Sequence, residues 1–113
     1  MVSRPLAATP VDRRAAPRSG VMREGQAFRP DGLAAPVLIV DLSESGARLR
    51  VRGGVCLPPD FVLADARTWL AHRAQVVWRK DAEVGVRLLR AQDLRGVIPA
   101  ALLPAKRFCE AQV

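Results

Sequence analysis

The amino-acid sequence predicts an all-β fold, a small barrel or sandwich of about six strands with a helical appendage. Two observations carry this. Short apolar or alternating runs recur at fairly regular spacing with Gly and Pro turns between them, and helix-friendly residues gather only after Leu89.

The first twenty residues hold Pro5, Pro10, Pro17, Ser19 and Gly20 with alanines between, a composition that sustains neither a helix nor a paired strand. They read as a flexible tail over residues 1–11 and then a loop, mobile unless a ligand orders it. Val21–Arg29 is a weak strand ending at the turn Pro30-Asp31-Gly32, where Pro presets φ and Gly accepts a positive one. Pro36–Leu42 is an apolar, β-branched run. In Gly46–Val51 the side chains of Ala47, Leu49 and Val51 face one way, while Arg48, Arg50 and, beyond the run, Arg52 face the other, as in a half-buried antiparallel strand. Gly53-Gly54 and Pro58-Pro59-Asp60 break the chain again. A short strand at Phe61–Asp65, a long one at Thr68–Arg79, a hairpin turn at Lys80–Glu83 and a partner strand at Val84–Leu89 complete the set. Beyond it, Pro99 and Pro104 forbid one long helix, so one or two helical turns are expected to cover an open end of the barrel.

With 113 residues the chain is of single-domain size, and its apolar content of 50% is ordinary for a globular protein. No run approaches the length of a membrane span, and the first residues lack the apolar stretch of a signal peptide, which together point to the cytoplasm. Cys56 and Cys109 are far apart and His72 is the single histidine, so neither a metal site nor a cofactor is expected. His72 reads as a strand-surface residue, and Trp69 and Trp78 as core or barrel-end aromatics rather than stacking platforms. No G-x-S-x-G, H-E-x-x-H or Walker loop is present, which excludes the common catalytic classes and predicts a non-enzyme.

The charge is informative. The formal net charge is +7, and residues 1–29 carry six arginines against Asp12 and Glu24. An anionic partner follows, since net charge governs steering and association.

Two motifs stand out against this charge. Arg14 and Arg18 stand at R-x-x-x-R spacing in the N-terminal loop, and Asp41, Ser43 and Gly46 at D-x-S-x-x-G spacing at a strand junction. An arginine fork suits planar, bidentate acceptors and complements phosphate charge. Asp41 offers a carboxylate and Ser43 a hydroxyl as acceptors on one side of an extended strand. Gly46 lets the backbone turn or approach closely without a Cβ.

In this order, and followed by Gly46–Val51, Leu57–Leu63 and Ala74–Leu89, the motifs resemble the PilZ domain family over about residues 12–90. The resemblance implies a six-stranded antiparallel β-barrel over residues 12–90, and the residues after it, 91–113, read as a C-terminal helical extension. It implies a receptor for cyclic di-GMP, the bacterial second messenger, held by Arg14, Arg18, Asp41, Ser43 and Gly46 and read by an effector protein. Arg13, directly before the first motif arginine, bears on whether one ligand or a stacked pair is held and leans towards the pair. Two rival readings remain: a PilZ-fold adaptor without nucleotide binding, and a basic barrel whose Arg48, Arg50 and Arg52 track a nucleic-acid backbone. The second lacks clustered aromatics on that strand face, the aromatic content being 4%.

Overall fold

The computed structural model describes residues 19–52 and 55–112. The expected tail and arginine loop, and the break at Gly53-Gly54, therefore lie outside the described residues.

Six strands close into an antiparallel barrel in the order β1-β2-β3-β6-β5-β4. They are β1 (Ser19–Phe28), β2 (Ala34–Leu42), β3 (Gly46–Val51), β4 (Asp60–Asp65), β5 (Leu70–Lys80) and β6 (Glu83–Asp93). The predicted six-stranded all-β fold is thus what the chain forms. Alternation fills the interior: Val37 and Ile39 of β2, Leu49 and Val51 of β3, Phe61 and Leu63 of β4, and Val84, Val86 and Leu88 of β6 make one buried cluster. Leu57, from the connection between β3 and β4, joins that cluster with 1% of its surface exposed.

Turn chemistry sets the boundaries. Gly32 takes φ +91 in the β1–β2 turn, where Asp31 Oδ1 accepts from the Leu33 N–H at 2.9 Å. β5 starts at Leu70 rather than Thr68, because the Trp69 N–H donates to the Asp65 carbonyl and Trp69 turns at φ 59. β6 runs to Asp93, past the expected end of the barrel at residue 90, because the first residues of β5 offer it partners: Leu70 faces Asp93 and His72 faces Ala91.

The C-terminal segment departs most from expectation. A 3-10 turn (Ala100–Leu102) leads into a helix, α1 (Leu103–Ala111), with Pro104 in the first turn, where its missing N–H costs nothing. α1 does not cover a barrel end. It lies against the outside of the wall, where Ala64 and Ala71 pack with Leu94, Ala105 and Cys109, with Phe28, Val62 and Trp69 alongside. The cause is β4, which is apolar on both faces: Phe61 and Leu63 point into the barrel, and Val62 and Ala64 require cover from outside.

One charge lies within the wall. Asp65, 1% exposed, meets Arg23 of β1 at 2.8 Å, accepts from the Arg67 N–H at 3.0 Å, and through its carbonyl accepts weakly from the Cys109 thiol of α1. Burial and the Asp65 carboxylate push that thiol's pKa up, so it stays protonated as a donor. His72 pairs with Leu63, whose side chain is interior, so it faces inward beside Asp65 rather than standing on the surface as expected. Burial lowers its pKa, partly offset by the Asp65 charge.

Candidate functional site

The D-x-S-x-x-G motif forms the turn between β2 and β3. The Ser43 N–H donates to the Gly46 carbonyl at 2.8 Å, and the Ser43 Oγ donates to the same oxygen at 3.2 Å. A hydroxyl that gives its proton to a carbonyl keeps its lone pairs to accept from a ligand. Gly46 opens β3 opposite Arg87 of β6, and a Cβ there would meet the Val86 carbonyl oxygen at 3.0 Å. The glycine is therefore explained by close approach of a neighbouring strand.

Asp41 stands on the outer face, since the inward positions of β2 end with Leu42 packed on the interior cluster and Val40 forms a bulge in the ladder to β3. Its cross-strand partner is Arg48, which binds its Oδ2 at 2.8 Å. Arg48 also reaches Glu83 of β6 at 3.8 Å, and Arg50 meets Glu83 at 3.0 Å. The carboxylates of Asp41 and Glu83 thus alternate with the guanidinium groups of Arg48 and Arg50 across three strands. The arginine face of β3 is largely neutralised, which removes the main support for its tracking a nucleic-acid backbone.

Beside this ladder is a shallow cavity of about 360 Å³, lined by Ser45, Gly46, Trp78, Gly85 and Arg87 among others. Trp78 faces Gly85 across the β5–β6 ladder and lies over it, where any Cβ would collide with the indole. It is 42% exposed, so Trp78 is an outer-face aromatic rather than the core or barrel-end residue expected; Trp69 does pack in the second apolar cluster. Arg87 is absent from the ion pairs of the described residues. Arg48, Trp78 and Arg87 are the site residues missed by reading the sequence. Counting back from the Asp81-Ala82 turn pairs Trp78 with Gly85, so that signal was available.

The structure brings Asp41, Ser43 and Gly46 together. Arg13, Arg14 and Arg18 lie outside the described residues. The first described residue, Ser19, pairs with Leu42, and Gly20 with Asp41, so the chain enters the barrel alongside the second motif.

Among the described residues no group of three or more His, Cys, Asp and Glu side chains is placed to hold a metal ion, and no helix is long and apolar enough to cross a membrane. The family model for the PilZ domain matches residues 12–98. A search of curated proteins returned no match.

Proposed function

Because the chain belongs to the PilZ domain family, we propose that it binds cyclic di-GMP on the outer face of β2, β3 and β6 and relays it to an effector protein in the bacterial cytoplasm. One observation above all supports this reading. Ser19 and Gly20, the residues that directly follow the R-x-x-x-R motif in sequence, pair with Leu42 and Asp41 of the second motif's strand. Arg18 is one peptide bond from Ser19.

In this reading the N–H groups of one guanine donate to Asp41 and Ser43. Asp41 keeps a second oxygen beside the one bound by Arg48, and Ser43 keeps its lone pairs. Arg14 and Arg18, with Arg13 beside them, take the O6/N7 edge and the phosphates, where planar forks and charge both fit. The Trp78 indole gives a flat apolar surface for a base, and Arg87 a further cation for phosphate. The PilZ domain is a family of ligand-binding receptor domains rather than of catalytic ones, which supports a receptor role.

Calorimetric titration with cyclic di-GMP tests the reading and reports stoichiometry, with two ligands per chain expected if Arg13 supports a stacked pair. Arg14→Ala, Arg18→Ala and Asp41→Ala should each remove a charge-assisted contact of about 1.5 to 3 kcal/mol and weaken binding about ten- to a hundredfold. Thermal melting of the ligand-free variants should match wild type. Absence of binding by the wild-type chain, or affinity indifferent to all three substitutions, would refute it.

A further inference from the structure

A cavity larger than the one beside the motif lies elsewhere. It is a half-open cleft of about 470 Å³ where β1, β4 and β5 meet the start of α1, lined among others by Phe28, Val62, Leu102 and Pro104, with Arg29 and Arg73 in its wall. In the ring of strands β4 stands opposite β3, so the cleft and the D-x-S-x-x-G turn occupy opposite sides of the barrel.

We infer that this cleft is a docking site for a partner protein, which inserts a bulky apolar side chain flanked by carboxylates. The volume is within the range of binding pockets and takes one or two large side chains. The apolar surface continues past the cleft, because Leu33, next to the lining residue Gly32, is 61% exposed, and Leu103, between Leu102 and Pro104, is 40% exposed. A small amphiphile confined to the cleft leaves both leucines in water, whereas a polypeptide crossing it covers them.

The polar groups set the partner's sign. Arg29 Nε is buried without an acceptor, and the only ion pair of that guanidinium among the described residues is a long one, 3.5 Å to Asp31. Arg73 is exposed and absent from the ion pairs of the described residues. Both forks have donors to spend, and carboxylates are their natural acceptors. Asp60, also in the lining, repels an acidic segment at one point and so favours one orientation across the cleft.

The test is a selection of displayed random short peptides on the immobilised chain, with two variants at exposed lining positions. Ala101→Trp fills the cleft and Arg73→Glu reverses one charge. Enriched peptides should share a Leu, Ile, Phe or Trp flanked by Asp or Glu. A synthetic peptide of that sequence should bind each variant about tenfold or more weakly than wild type, as expected for loss of an anchor contact. Both variants should melt as wild type does. The proposal is overturned by enrichment without acidic residues, by equal binding to Ala101→Trp, or by no enrichment at all. A parallel titration with decanoate, followed by amide resonances, separates the remaining occupant: decanoate shifting Leu102 and Ala105 where no peptide is enriched would make the cleft a small-amphiphile site.

Discussion

Two arginine–carboxylate pairs of the same length, 2.8 Å, do opposite work in this barrel. Arg48 and Asp41 meet on the outer face of β2 and β3, with side chains 40% and 15% exposed; Arg23 and Asp65 meet within the wall between β1 and β4, at 20% and 1%. Contact geometry does not separate them, but solvent does. An exposed pair gains little because water screens it and each partner is solvated when alone, whereas a buried carboxylate cannot be given up without stranding its arginine. The outer face thus holds charges that a ligand can borrow, and the wall holds a charge on which the fold depends.

The strongest way to break this contrast is Asp65→Ala. It leaves the Arg23 guanidinium without its anion and removes the acceptor for the Arg67 N–H. Stability should fall by about 3 kcal/mol, at the lower end for a broken buried pair because Arg23 keeps some solvent. Denaturant unfolding measures it, and a loss below about 1 kcal/mol would show the wall pair to be no more important than a surface one.

Gly85→Val should act in the opposite sense, on the outer face alone. The new side chain must displace the Trp78 indole, which already lies 42% exposed and can swing into solvent. Affinity for cyclic di-GMP should fall about tenfold, a stacking contact being worth roughly 1 to 3 kcal/mol, while the melting temperature changes little. Tryptophan fluorescence should shift to the red in the free variant. Unchanged affinity would remove the indole from the site.

His72 sharpens the contrast through pH. Its folded pKa is lowered by burial, so the unfolded chain takes up a proton first. The contribution to stability is complete above the ordinary value of 6.5 and is lost progressively as pH falls through and below it. Melts of wild type and His72→Gln at a series of pH values should diverge in that window, with the wild type the steeper. Parallel curves would place the titration elsewhere.

The smallest effect is expected from the outer pair. Arg48→Ala should cost less than about 1 kcal/mol of stability, and a double-mutant cycle with Asp41→Ala should return a coupling in the same range. Ligand affinity should drop by about three- to tenfold, because Asp41 loses the neighbour that holds its carboxylate in place, a charge-assisted contact of this kind being worth about 1 kcal/mol at an exposed site. A coupling of several kcal/mol would make the two pairs alike after all.

Much of the fold was legible because it rests on local patterns. The alternation in Gly46–Val51 and the turn at Gly32 are properties of a few adjacent residues, and the structure has both. The motif turn was legible for the same reason: Ser43 and Gly46 close it between themselves. What escaped depends on register. Arg48 looks like a free surface charge until β2 is laid beside β3 with Asp41 opposite it, and the bulge at Val40 intervenes. Trp78 leaves the inward row of Ala74 and Val76 for the outer face because the β5–β6 ladder shifts between Val76 and Trp78. The cleft was out of reach, since its walls come from separate segments around residues 28–32, 60–62, 73 and 101–105. The position of α1 could only follow once β4 was known to be apolar on both faces.

β1 is held unevenly. Along its length it is laddered to β2, but only Gly25–Phe28 are also laddered to β4, and the register to β2 slips between Gly20 and Arg23. Residues 19–24 therefore form half of a zipper: each opening breaks one row of hydrogen bonds instead of two, and no continuous register resists it. Such segments occupy the low end of the spectrum of local opening free energies, and their amides exchange with solvent first. The weakest seam in the barrel thus runs from Ser19 beside Leu42, where the ligand is expected to sit, towards Arg23, which holds Asp65 and through its carbonyl the thiol of α1. A nucleotide that fastens the start of β1 closes that seam from its loose end, and the slowing of amide exchange should advance from Gly20 towards Glu24.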